Sequence, residues 1–290
     1  MSGQKRDFRG NAKSSAAKAP VVRNEYTPMF ESFRDELDGH HDRRERIVKA
    51  SRDITALSKK IIFSLQRIRK IQPELPDHVE KDIQSRLGDI SKLLATLAPD
   101  VQGIHRYRYS RSLMCLEELI EALTFAHYLR TQCLMGFGEA VAKVAELSEH
   151  PSDKMDVDVG DPPAAAGTGC LRPSVLITED DYLMGIFDLS GEMMRFATTS
   201  AALAGKMAGG SATPPADGRE RTIAVDMQDL GSFFEMLPQQ YTKSYQVKLS
   251  TLRSSVLKVE KLAYGLTVRG TERPAGWMPE DGDDPPEDEY

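Results

Sequence analysis

Apolar residues recur every three or four positions along most of this chain, which is the spacing of one face of an α-helix. The first such stretch begins at Thr27, a typical N-cap residue followed by Pro28, and no further proline interrupts it before Pro73. It predicts one very long helix, or two helices that join near Gly39. Its apolar positions are Phe30, Phe33, Leu37, Ile47, Ile54, Leu57, Ile61 and Leu65.

The same spacing predicts further helices downstream. A second helix is expected to begin near Asp77 and to stop before Pro99. A third long helix is expected from Asp100 through HRYRYSRSLMCLEELIEALTFAHYLRTQCL, with Gly136 and Gly138 bending or ending it.

Four more helical stretches follow, and no segment shows the two-residue alternation of a β-strand. Thr178, followed by Asp181, signals the start of the second of these helices. The predicted fold class is therefore all-α. The four stretches are 139–147, the helix that follows Thr178, 226–237 and 239–268.

Composition divides the chain into a helical domain and two tails. Residues 1–25 are basic and rich in Ala, Ser and Gly, whereas residues 271–290 are acidic and rich in Pro, so both are predicted to be disordered. Residues 26–270 are long enough to form one α-helical domain with a substantial core. Within it, 148–173 and 205–220 have the composition of flexible loops.

Charge and cysteine content narrow the classes of protein. The net charge of −6 argues against a surface that is basic throughout, although a local basic face remains compatible with it. Cys115, Cys133 and Cys170 lack CxxC spacing and indicate reduced intracellular thiols. No apolar run of 18 residues and no secretory signal are present, which predicts a soluble protein without membrane association. The basic N-terminal tail is compatible with nuclear entry or with simple solvation.

Two acidic pairs lie inside otherwise apolar helical segments. Glu118 and Glu121 occur in LMCLEELIEALTFAHYL, and Asp188 and Glu192 occur in DYLMGIFDLSGEMMRF. Residues three or four apart project from the same side of a helix, so each pair offers two carboxylates to one point. Buried carboxylates need compensation, and Mg²⁺ prefers oxygen ligands. These four residues are therefore candidate metal ligands.

Each pair also has a simpler interpretation. Glu118 and Glu121 fall away from the apolar stripe of their helix and could belong to an ordinary solvated face. Apolar residues surround Asp188 and Glu192 on nearly every side, so that helix should be largely buried, and Arg195 on the same face could form a structural salt bridge to them.

The segment HRYRYSRS, upstream of Glu118, alternates cationic and aromatic residues. Arginines that bind phosphates beside aromatic rings that stack on bases are typical of single-stranded nucleic-acid binding, although basic helix surfaces are common. Together with the nearby carboxylates, the segment favours phosphodiester hydrolysis. Neither a Walker loop nor GxSxG occurs, and the acidic helices lack the Glu-x-x-His pattern of di-iron bundles. The candidate RNA-binding residues are Arg106, Arg108 and Arg111.

Several long segments, in the same order, resemble the translin-associated factor X branch of the translin family. They are FESFRDELDGHHDRRERIVKASRDIT, LEELIEALTFAHYL, DYLMGIFDLSGEMMR and VLKVEKLAYGLTVRGTERP, and the resemblance covers most of Phe30 to Arg273. Translin itself is similar in fold but lacks the acidic set. The carboxylates therefore favour this branch over translin.

The resemblance implies a seven-helix α-bundle that assembles with translin into a closed hetero-octamer around single-stranded RNA or DNA. It also implies an endoribonuclease that uses Mg²⁺, with Mn²⁺ as a substitute, in the cytoplasm and nucleus. Its substrates would be passenger-strand fragments in RNA silencing or fragments of transfer-RNA precursors. The family's catalytic and metal-binding carboxylates fall on Glu118, Glu121, Asp188 and Glu192.

The chain departs from the family at Glu117 and in divergent loops near 157–169 and 205–217, and two competing functions remain open. Glu117 is a carboxylate where the family is usually uncharged, so it either tunes metal affinity or faces solvent. A non-catalytic subunit that stabilises translin and binds nucleic acid would use the acidic residues structurally. A purely structural helical adaptor would have no nucleic-acid role.

Overall fold

The computed structural model describes residues 24–149, 173–209, 221–238, 240 and 242–269. Within them the β-type pairing is a single isolated bridge, and the all-α class is confirmed. Seven α-helices have 12 or more residues, whereas α3 has five. The eight helices of the described residues are α1 Thr27–Leu65, α2 Asp77–Leu97, α3 Ile104–Arg108, α4 Cys115–Thr131, α5 Phe137–Ser148, α6 Glu179–Ala204, α7 Ile223–Met236 and α8 Lys243–Arg269.

The first apolar stretch forms one helix, since α1 continues through Gly39. The chain divides into two compact units, one that ends at Arg43 and one that begins at Arg44. The predicted tails 1–25 and 271–290 lie almost entirely outside the described residues, as does most of the two predicted loops. The disorder and the domain boundaries therefore stay predictions.

The long third helix that the sequence predicted from Asp100 does not form. Gly103 has a left-handed φ of 56° and separates a 3-10 turn from α3, and a second 3-10 turn precedes α4. Glycine adopts this conformation without the steric penalty that other residues meet. The broken path allows both Arg106 and Leu113 to be buried. The arginine-rich segment and the α4 acidic pair thus belong to different helices.

The end of α4 also differs from the prediction, because the helix stops at Thr131, before Gly136. Gln132 takes a left-handed φ of 54°, and its backbone N–H donates to the Tyr128 carbonyl. Its side-chain amide donates to the Arg221 carbonyl at 2.8 Å and to the Asp226 carboxylate at 3.1 Å. These bonds offset the cost of about 1–2 kcal/mol for a non-glycine residue in this conformation.

The start of α6 is as predicted. The Thr178 hydroxyl accepts from the Asp181 N–H at 3.2 Å, and the Asp181 carboxylate accepts from the Thr178 N–H at 2.8 Å, which completes a capping box. From there α6 packs against α4, α7 and α8. These helices form the frame on which the acidic residues lie.

The structure describes two of the three cysteines. Cys115 is buried, which raises the pKa of its thiol to about 11, and Cys133 is exposed; both are free thiols. Cys170 lies outside the described residues. In the described part of the chain, no helix is long and apolar enough to cross a membrane.

Candidate metal centre

The structure brings the two acidic pairs together. Glu118 and Glu121 lie on α4, Asp188 and Glu192 lie on α6, and the two helices pack against each other. The negative charges of Asp188, Glu118 and Glu192 all raise the pKa of Glu121. The other three carboxylates therefore lie within electrostatic reach of Glu121.

Glu121 is the most deeply buried of the four, with 8% of its surface exposed. Burial is the main cause that raises its pKa to about 8, and the three neighbouring carboxylates add to the effect. The charge of Lys248 acts in the opposite direction without cancelling it. A solvated helix face is therefore the wrong interpretation for Glu121, whose carboxyl group holds a proton at neutral pH unless another cation compensates it.

Glu118 is partly buried and has a nearby cation. The Lys59 ammonium lies 3.7 Å from the Glu118 carboxylate, and the Glu118 side chain is 23% exposed. Burial raises the pKa of Glu118, Lys59 lowers it, and the charge of Asp188 raises it again, so the net direction is upward. Glu118 and Glu121 thus both retain protons more readily than an exposed glutamate does.

Glu192 is held mainly by a neutral donor. The Gln66 side-chain amide donates to Glu192 Oε2 at 2.9 Å. Arg195, which the sequence offered as a structural salt-bridge partner, lies 3.9 Å from Glu192, and its side chain is 58% exposed. Exposed ion pairs contribute little, typically about 0–1 kcal/mol. Arg195 therefore does not account for the acidic pair of α6.

Lys248 on α8 is a site residue that sequence reasoning missed, as are Lys59 and Gln66. Its ammonium donates to Asp188 Oδ2 and to Glu117 Oε2, each at 2.8 Å, and to the Met184 carbonyl at 3.1 Å. Burial lowers the pKa of Lys248, but the hydrogen bonds to the two carboxylates outweigh it and leave the pKa above its ordinary value. Lys248 and Asp188 are 60 residues apart, so no local motif links them.

The same contact places Glu117, whose role the sequence left open. Its side chain is 21% exposed and pairs with Lys248, so it does not face open solvent. Glu117 lies beside Glu118 in α4, and its carboxylate accepts a hydrogen bond from Lys248 of α8. It thereby links α4 to α8 next to the acidic cluster.

The donor chemistry of the cluster suits a hard divalent cation. Carboxylate oxygens are the ligands that Mg²⁺ prefers, and the buried Glu121 has three acidic neighbours that a cation would compensate. In the part of the chain that the structure describes, no three carboxylate, histidine or cysteine side chains lie at metal-binding spacing. Lys248, Lys59 and Gln66 contact the carboxylates instead. The residues fit a metal site in chemical type, but in this structure the described carboxylates contact protein side chains and are not spaced as metal ligands.

Arg106 does not lie where an RNA contact requires it. It is 2% exposed, its guanidinium donates to the Leu176 carbonyl at 2.8 Å, and it pairs with Asp181. The sequence placed this arginine on a basic surface because it predicted a continuous helix there. The broken helix instead turns Arg106 inward, where it joins α3 to the start of α6.

The other members of the basic segment remain accessible. Arg108 and Arg111 are exposed, and Tyr107 is 65% exposed, whereas Tyr109 is buried. Of the alternating cationic and aromatic side chains, Tyr107, Arg108 and Arg111 are therefore the ones that remain exposed. These three residues stay candidates for nucleic-acid contact.

Known proteins resemble the chain over most of its length. The model of the translin family matches residues 42–270. The translin-associated protein X of Rattus norvegicus is 30% identical over 268 residues, which are 92% of this chain and 85% of the rat protein. The translin-associated protein X homolog of Schizosaccharomyces pombe is 25% identical over 247 residues, 84% of this chain and 89% of that protein.

A solved structure shows the same fold. The crystal structure of apo-NeC3PO matches with a TM-score of 0.52 at 16% identity, over 82% of this chain and 97% of that chain. At this identity the likeness concerns the arrangement of helices alone.

Proposed function

The chain belongs to the translin family, and on that premise we propose that it is the metal-dependent endoribonuclease subunit of a complex with translin. The proposed reaction is hydrolysis of a phosphodiester bond in single-stranded RNA. The observation that carries the proposal is the gathering of Glu118, Asp188 and Glu192 around the buried Glu121. A buried carboxylate beside three others is costly unless a cation compensates its charge.

The partnership with translin is supported by the relatives. The rat protein is named for its association with translin, and the alignment covers 85% of it. We extend that association to this chain, with the hetero-octamer as the assembly and single-stranded DNA as a further ligand.

The residues of the site divide into ligands and supports. Mg²⁺, or Mn²⁺ in its place, would activate water and offset charge on the scissile phosphate when bound by Glu118, Glu121, Asp188 and Glu192. Cation binding would require Glu121 to release the proton that its raised pKa lets it retain in the metal-free protein. Because the ligands lie on two packed helices, the scaffold holds them more rigidly than a loop would.

RNA would be positioned by the exposed part of the basic segment. Arg108 and Arg111 bind backbone phosphates, and Tyr107 stacks on an unpaired base. Arg106 is left out because its guanidinium already bonds to Asp181 and the Leu176 carbonyl. Such contacts select single strands by accessibility and not by base identity.

A second function has an observation in its favour. Lys248, Lys59 and Gln66 contact Asp188, Glu118 and Glu192 respectively, as in a structural ion network. The chain would then be a non-catalytic subunit that stabilises translin and binds nucleic acid.

The two functions differ in the requirement for metal. The complex of the full chain with translin is assayed for cleavage of single-stranded RNA in Mg²⁺ and in EDTA. We expect Mg²⁺-dependent cleavage, its loss in Glu121→Gln with assembly and RNA binding intact, and its retention in Glu146→Gln, a carboxylate that is 69% exposed. Mg²⁺-dependent cleavage by Glu121→Gln would overturn the assignment, and RNA binding without any cleavage would favour the second function.

A further inference from the structure

Lys248 occupies a position that a metal site would need. Its ammonium contacts one proposed ligand, Asp188, and the neighbouring Glu117, at the same distance of 2.8 Å. With 20% of its side chain exposed, it is shielded from bulk water. A lysine held by two carboxylates and the Met184 carbonyl has all three ammonium donors engaged.

An ammonium and a divalent cation compete at such a position. Both bind carboxylate oxygens, and their like charges repel strongly when they are a few ångströms apart in a partly buried site. The described carboxylates are not at metal-binding spacing while Lys248 holds Asp188. A cation that binds Asp188 would therefore compete with Lys248 for this carboxylate.

The Glu117 carboxylate can keep the Lys248 ammonium bound after it leaves Asp188. It belongs to none of the four proposed ligand positions, and it contacts Lys248 from α4, whereas Asp188 does so from α6. When Asp188 turns to the cation, the pair between Lys248 and Glu117 keeps the lysine charge compensated.

We propose that Lys248 is an internal counter-ion that holds Asp188 in the metal-free protein and competes with the divalent cation for it, with Glu117 as the residue that retains the lysine. The inference rests on the proposed function, because it requires the acidic cluster to bind a cation. It makes Lys248 a positioning residue that sets how much metal the site needs.

The test measures metal binding directly. The full chain, purified with translin, is titrated with Mn²⁺ by calorimetry as wild type, Lys248→Met and Lys248→Gln. Both neutral variants should bind Mn²⁺ about tenfold more tightly, because a nearby positive charge is removed. Lys248→Gln keeps an amide donor for the carboxylates and so protects the fold. Lys92→Met is the matched control, since Lys92 is 63% exposed and forms a surface ion pair with Asp89.

Melting curves provide a second readout. In EDTA, Lys248→Met should melt below the wild type, because Asp188 and Glu117 lose their shared cation, and Mn²⁺ should raise its melting temperature more than it raises that of the wild type. Equal or weaker Mn²⁺ binding by both neutral variants, with normal binding by the wild type, would overturn this inference alone. Absence of Mn²⁺ binding by the wild type would overturn the proposed metal site and this inference with it.

The role of Glu117 is tested by a double-mutant cycle. Glu117→Gln should weaken Mn²⁺ binding, because Lys248 then loses its contact with Glu117 and holds Asp188 more strongly against the cation. In the Lys248→Met background that effect should shrink, since Glu117 acts through Lys248. An equal effect of Glu117→Gln in both backgrounds would show that Glu117 acts on the metal independently, and would overturn its assignment as the residue that retains the lysine.

Discussion

Gly185 of α6 lies directly against Ile120 of α4: a Cβ at position 185 would come within 2.7 Å of Ile120 Cγ2 and 2.8 Å of the Glu117 carbonyl oxygen. Only glycine permits this approach. Ile120 precedes Glu121, and Gly185 lies three residues before Asp188. The contact therefore sets the separation of the two acidic pairs.

Gly185→Ala should disturb both stability and the site. The added methyl group forces α4 and α6 apart, and we expect a loss of about 1–3 kcal/mol in the free energy of unfolding, as for other overpacked cores. Gly191→Ala in the same helix is the control, because its Cβ would meet nothing within 4 Å. That variant should gain about 0.5–1 kcal/mol from helix propensity. Urea unfolding measures both, and equal stability of the two variants would contradict the packing described here.

Arg106 should matter for stability and not for RNA. Arg106→Leu leaves Asp181 without its buried partner, and breaking such a pair typically costs about 3–5 kcal/mol. Arg108→Ala, at an exposed position, should change the free energy of unfolding by less than about 0.5 kcal/mol. Thermal and urea unfolding provide the comparison. A stable Arg106→Leu protein with weakened RNA binding would restore the surface role that the sequence suggested.

Arg108 and Arg111 should act on RNA affinity. We expect Arg108→Ala with Arg111→Ala to weaken binding of single-stranded RNA and to reduce the slope of log K against log salt by about 0.7 for each lost phosphate contact. Arg253→Ala is a control, since this exposed arginine pairs with Glu235. Fluorescence anisotropy at several salt concentrations measures the slope. An unchanged slope in the double variant would remove both arginines from the RNA-binding surface.

Glu121 should make the metal-free protein less stable as pH rises. Its pKa is about 8 in the folded protein against an ordinary 4.5, so between these values the folded state holds a proton that the unfolded state has released. Stability therefore falls as pH increases through this window and stays low above it. In EDTA, Glu121→Gln should melt above the wild type at about pH 9, and the difference should shrink towards pH 5. Parallel melting curves of the two proteins across pH would contradict the raised pKa.

Local patterns were sufficient for much of the fold and for the acidic residues. The spacing of apolar residues predicted α1, and Thr178 with Asp181 predicted the start of α6, because these signals lie within one or two helical turns. The pairs on α4 and α6 were visible for the same reason. That the two helices bring the pairs together was an expectation from family resemblance, and the structure supplies the packing.

The features that sequence reasoning missed depend on partners far along the chain. Arg106 lies 75 residues from Asp181, and their contact decides that the arginine points inward. Lys248 lies 60 residues from Asp188 and 131 from Glu117, and no motif marks it among the lysines of α8. Such contacts follow from the packing of helices, which periodicity within one helix does not specify.

The most direct test of the acidic site compares RNA cleavage by the complex of this chain with translin, as wild type and as the Glu118→Gln, Glu121→Gln double variant. Both α4 ligands are then neutral, while α6, Lys248 and the basic segment are unchanged. We expect Mg²⁺-dependent cleavage of single-stranded RNA by the wild type, none in EDTA, and none by an intact double-variant complex that still binds RNA. Equal Mg²⁺-dependent cleavage by both complexes would contradict the assignment of this chain as the nuclease subunit.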